Sequence, residues 1–137
     1  MKAISIEAEA VARILNGTKR FEYRTWPTKH RGKIALHVKS LAGVYRGYIS
    51  AVADLVDCKK IDGGYAFELQ NVRAIVPVVH RGQQRIFNIP HSEDSFVYTD
   101  DIPHNEVDTI LKEAKREIYY SMESCKRDSV HKVTLEK

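Results

Sequence analysis

Residues 20–26, Arg-Phe-Glu-Tyr-Arg-Thr-Trp, leave this chain few choices of fold. They follow Asn16-Gly17, which closes a run where Ala8, Val11, Ala12 and Leu15 recur at helical spacing. Glycine ends helices well because it accepts a left-handed conformation that other residues resist. The pattern then switches to period two, and its Phe and Tyr favour a strand that Pro27 terminates. On that strand Glu22 and Arg24 share a face with Trp26. Charges beside a large ring either face water, as solvated ion pairs worth about 0–1 kcal/mol each, or line a pocket. The residues alone leave both readings open.

The surrounding pattern is that of an α+β domain with five or six mostly antiparallel strands and two main helices. A short strand over residues 1–5 precedes the first helix. Ser5 is its expected N-cap, and Glu7 and Glu9 suit the positive end of the helix dipole. Ile34-Ala35-Leu36-His37-Val38 reads as a buried strand and residues 48–60 as another. Asp62-Gly63-Gly64 predicts a hairpin into a strand over residues 65–69. Separate strands are expected over residues 72–79, where Pro77 marks an edge or bulge, and 86–89. Asn105 is expected to cap a long helix over about residues 105–126, with Asp108 completing a capping-box-like pair. Its apolar stripe runs through Val107, Ile110, Leu111, Ala114, Ile118, Met122 and Cys125. The tail after residue 127 has no pattern and is expected to fray. No repeat or linker divides the chain, so residues 1–137 are expected to form one domain.

A chain of 137 residues buries a single core. No stretch of eighteen apolar residues occurs to span a membrane, and the first residues carry too short an apolar run for a secretory signal. Cys58 and Cys125 make no disulfide framework and suit a reducing cytoplasm as free, partly buried thiols. The six histidines lack metal-ligand spacing, and no glycine-rich phosphate loop or nucleophile elbow occurs, so neither metal nor cofactor is expected. The charge is unevenly spread. Residues 1–48 hold ten Lys or Arg against three Asp or Glu, whereas residues 49–111 hold five against ten. A basic first third on an acidic body is either an uneven solvated surface or a face that meets an anion such as nucleic acid.

Ala3-Ile4-Ser5-Ile6, the helix end Ile14-Leu15-Asn16-Gly17, Lys19, Glu22-Tyr23-Arg24-Thr25-Trp26 and Gly32-Lys33-Ile34-Ala35-Leu36-His37 together resemble the start of an ASCH domain. Tyr65-Ala66-Phe67-Glu68-Leu69, Pro77-Val78 and Gly82-Gln83-Gln84 resemble its second half more loosely. The likeness spans roughly residues 1–90 and leaves the C-terminal helix as an appendage. It implies a small PUA-like β-barrel, over about residues 1–100, with a cleft between barrel and helices for RNA or a nucleobase. One bacterial branch of the family removes the acyl group from acetylated cytidine. Its lysine stands two residues after the helix-ending glycine, the place of Lys19 here. Its threonine nucleophile stands three residues further on, where this chain has Glu22. Arg24 matches a basic residue two positions beyond, and Glu93 is the carboxylate nearest the place of the branch's later glutamate.

With that resemblance, the ligand-binding residues expected are Arg24, Thr25, Trp26, Lys39 and Glu68. Lys29, Arg31 and Arg46 are the candidates to hold a nucleic-acid backbone. Arg24 can fork onto a phosphate or carbonyl, and Trp26 offers a plane for a base. If the protein is an enzyme, Lys19 and Glu22 carry the chemistry, a desolvated lysine being able to act as a base. Gln83 and Gln84 either present amides to a base edge or form a plain turn. The expected partner is RNA or a modified nucleoside. A small nucleoside amidohydrolase and an interaction module that docks a partner or second copy through the C-terminal helix are the alternatives.

Overall fold

The computed structural model describes residues 1–39 and 47–135, with side chains of the last helix described as far as Ser121. In chain order come β1 (Lys2–Ile6), α1 (Ala8–Leu15), β2 (Phe21–Arg24), β3 (Gly32–Val38), β4 (Tyr48–Ile61), β5 (Gly64–Val79), β6 (Ile86–Asn88) and α2 (Val107–Leu135). Single 3-10 turns at Glu93–Ser95 and Thr99–Asp101 separate β6 from α2. All six strands join one sheet in the order β2-β5-β4-β3-β1-β6. Every neighbouring pair is antiparallel except β1 with β3. The class, the strand number and the two helices are those expected. The pairing runs from β2 at one end to β6 at the other, and among the described residues it does not close into a ring.

Side-chain alternation divides the core in two. Along β1, Ile4 and Ile6 join Ile34, Leu36 and Phe67 on one face, where Val11 and Ile14 of α1 pack. Ala3 joins Ala35, Ile49, Phe87 and Phe96 on the other. α1 is therefore seated by Val11 and Ile14, while Ala8, Ala12 and Leu15 of the expected stripe are exposed. A helix of eight residues meets the sheet along one i, i+3 edge, and the larger Ile14 occupies it. Its N-cap is Glu7, without a side-chain cap bond, rather than Ser5, which belongs to β1.

The Asp62-Gly63 turn joins β4 to β5 as expected, but the two strands foreseen beyond it are one strand of 16 residues. Asn71 adopts φ 52°, and three register shifts between β4 and β5 take up the extra residues. A polar Gln70-Asn71 step thus reads as a break in sequence while the ladder continues through it. α2 begins after Glu106, whose carbonyl accepts the first helical bond from the Ile110 amide, so Asn105 lies in the preceding turn and does not cap it. Ala114 is buried where α2 meets β5, and the helix runs on to Leu135 instead of stopping near residue 126.

Candidate functional site

β1, α1, β2 and the segment leading into β6 line a half-open cavity of about 690 Å3, inside the range of about 300–1,000 Å3 usual for small-molecule sites. Lys19, Glu22, Arg24, Trp26 and Lys39 all line it. β2 explains this convergence. Tyr23 faces outward and is exposed, while Glu22, opposite Phe67 of β5, turns inward with Arg24. Gly17, at φ 84°, ends α1 and lets the chain reverse so that Lys19 reaches the same space. Trp26 stands edge-on to Phe67, ring centres 5.2 Å apart, which fixes its plane at the cavity wall.

The electrostatic centre is Glu22, whose side chain is only 9% exposed. One Arg24 Nη1 donates to its Oε1 at 2.7 Å, and Arg24 Nη2 donates to the Ser5 carbonyl at 2.8 Å. The other carboxylate oxygen, Oε2, is buried and has no hydrogen-bond partner, since the Lys19 ammonium stands 3.8 Å away. A buried acceptor without a donor costs about 1–3 kcal/mol, and Glu22 carries this cost in the cavity wall. Lys39, at the rim, faces Glu7 at 3.7 Å.

The opposite wall is Gln83, Gln84 and Arg85. Arg85 holds φ 58°, a conformation that costs a side-chain-bearing residue about 1 kcal/mol or more. Its guanidinium lies 5.5 Å from the centre of the Trp26 ring. His37 anchors this wall. It is wholly buried, its Nδ1 2.9 Å from Ser5 Oγ and its Nε2 2.7 Å from the His80 carbonyl. The carbonyl can only accept, so the Nε2–H of His37 donates to it. Gly82 lies flat against the pair: a Cβ there would come within 2.7 Å of the His37 ring and 2.8 Å of Ser5 Oγ.

Other expected residues lie apart from the cavity. Glu68 is opposite Phe21, on the outer face of the sheet, and accepts from Gln70 Nε2 at 2.6 Å. Thr25 is exposed and borders a shallower hollow of about 390 Å3 beside the Asp62-Gly63 turn. Arg31 bonds to the carbonyls of Thr28 and His30, and its guanidinium stands 3.8 Å from Asp57; Lys29 is exposed in the same loop. Neither lines the cavity, and nor does Glu93. Arg46 lies outside the described residues, as does the Cys125 side chain, while Cys58 is a free, partly buried thiol. Sequence reasoning missed Glu7, Arg85 and the His37 anchor. Arg85 has no periodic signal, because its aim is set by a loop conformation; His37 was hidden inside an apolar strand.

No described helix is long and apolar enough to cross a membrane. Comparison with curated proteins gave no match. The family model for the ASCH domain matches residues 4–76, which takes in α1, β2 and the buried strands beneath the cavity but not the wall formed by residues 83–85. More than half of the chain is covered, and this chain therefore belongs to the ASCH domain family, within the PUA-like superfamily.

Proposed function

We propose that this protein is an RNA- or nucleotide-binding module that holds one nucleobase in the cavity between β2 and residues 83–85, on a barrel-like PUA fold. Family membership favours RNA or a nucleotide as the class of partner. The observation that carries the reading further is the orphaned Glu22 Oε2 in a cavity walled by Trp26. A base supplies two complements at once: an N–H group for the carboxylate oxygen, and a flat face for the indole. Such stacking is worth about 1–3 kcal/mol per base. The Gln83 and Gln84 amides on the facing wall can read the remaining edge. Trp26 is the only tryptophan, so its fluorescence reports the site directly. Titration with single-stranded RNA and with mononucleotides is expected to change that emission saturably. Trp26→Phe should keep most of the affinity, measured by calorimetry, and Trp26→Ala should lose about tenfold or more. Equal affinity for wild type and Trp26→Ala rules the base-stacking reading out.

A hydrolytic role is the second reading, favoured by the Lys19 ammonium beside the Glu22 carboxylate at 3.8 Å. With a glutamate where the related branch has its hydroxyl nucleophile, attack would fall to a water activated at that pair. Release of acetate from acetylated cytidine, lost in Lys19→Met, is its test.

A further inference from the structure

The cavity is not electrically neutral. Lys19, Arg24, Lys39 and Arg85 line it against Glu7 and Glu22, leaving two positive charges in excess. The carboxylates are already committed: Glu22 to Arg24 and Lys19, Glu7 to Lys39. Arg85 is the remainder. No carboxylate among the described residues lies within ion-pairing distance of its guanidinium, which rests instead over Trp26. The backbone at residue 85 keeps an unfavourable positive φ in doing so. A glycine would take that conformation freely, so the strain is borne by a residue with a long cationic side chain facing the cavity.

Resting on the base-binding reading above, we infer that Arg85 is an anion-binding residue and that the ligand carries a phosphate: the site takes a nucleotide, free or within an RNA strand, rather than a nucleoside. A nucleoside is neutral and answers neither excess charge. A phosphate monoester carries about −1.5 to −2 charges at pH 7 and a phosphodiester one, and the guanidinium fork matches phosphate oxygens in pairs. The geometry also requires Arg85 to move. A flat base lying between the guanidinium and the indole needs roughly 7 Å, two van der Waals gaps, and only 5.5 Å separates them now. The arriving base displaces Arg85 from the ring, and the phosphate receives it.

Calorimetric titration of the full chain at low salt with the four ribonucleosides, their 5′-monophosphates, a short single-stranded RNA and inorganic phosphate tests this. The expected result is that the preferred base binds about tenfold or more tightly as its phosphorylated form. That advantage should shrink in Arg85→Gln, recover in part in Arg85→Lys, and fall with added salt. RNA tighter than the monophosphate identifies an internal phosphodiester as the source; the reverse identifies the free mononucleotide. Equal affinity for nucleoside and monophosphate, or an advantage untouched by Arg85→Gln, overturns the inference while leaving base binding intact. Inorganic phosphate matching the monophosphate, or no binding by any compound, overturns the base-binding reading itself.

Discussion

Two arginine–carboxylate pairs in this molecule share one distance and little else. Arg24 meets Glu22 at 2.7 Å inside the cavity, and Arg73 of β5 meets Asp100 at 2.7 Å on the surface. Arg73 is fully answered: it contacts both Asp100 and Asp101, and its guanidinium lies 4.0 Å from the centre of the Tyr98 ring. The Asp100 side chain is 66% exposed, so water screens the pair and satisfies what the protein does not. Glu22 is enclosed, shares one oxygen with Arg24, and leaves the second without a donor. The exposed pair pins the segment after β6 against β5. The enclosed one lines the cavity. Equal geometry thus gives a pair satisfied by water in one place and an incompletely satisfied one in the other, and the difference is the solvent around it.

The largest effect that could break this contrast is on folding stability. Removing one partner of a buried pair strands the other charge, at about 3–5 kcal/mol. Arg24 is partly exposed and keeps the Ser5 carbonyl, so Glu22→Ala is expected to cost less, about 2–3 kcal/mol in urea unfolding. Arg73→Ala should shift the melting temperature by only about 3 °C or less; a drop as large as that of Glu22→Ala would erase the distinction. The smallest effect concerns a third cluster. Asn71 Nδ2 donates to Asp54 at 2.9 Å and Lys33 stands 3.0 Å away, and these hold the Asp54 carboxyl below the ordinary carboxylate range. A depressed carboxylate adds stability above its unfolded pKa and loses it as pH falls through the folded one. Stability should therefore decline modestly below about pH 4, and Asp54→Asn should flatten that slope in an acid titration of the melting temperature.

Much of the cavity was legible because β2 obeys a simple rule. Period two puts Glu22, Arg24 and Trp26 on one side, and the glycine before it brings Lys19 round. The same rule gives parity without giving the face. Glu68 alternates as clearly as Glu22, yet the β2–β5 register pairs it with Phe21 and turns it outward. The continuity of β5 was hidden because a bulge absorbs its polar step, and no local pattern announces a bulge. His37 finds its partners 32 and 43 residues away, which a strand pattern cannot display. Arg85 is harder still, since its role lies in a backbone angle.

The cavity lining comes from residues 4–39 on one side and 83–85 on the other, and none of it from the β4–β5 hairpin between them. The site is thus a seam between two distant stretches of chain, sewn by the β1–β6 pairing and by His37. A molecule lodged there touches both sides of the seam and exists only with the completed fold. By mass action it stabilises that fold, by about 2.7 kcal/mol at a hundred times its dissociation constant. Resistance to heat is therefore a readout of occupancy, open to any compound and requiring no assumption about what reaction, if any, takes place inside.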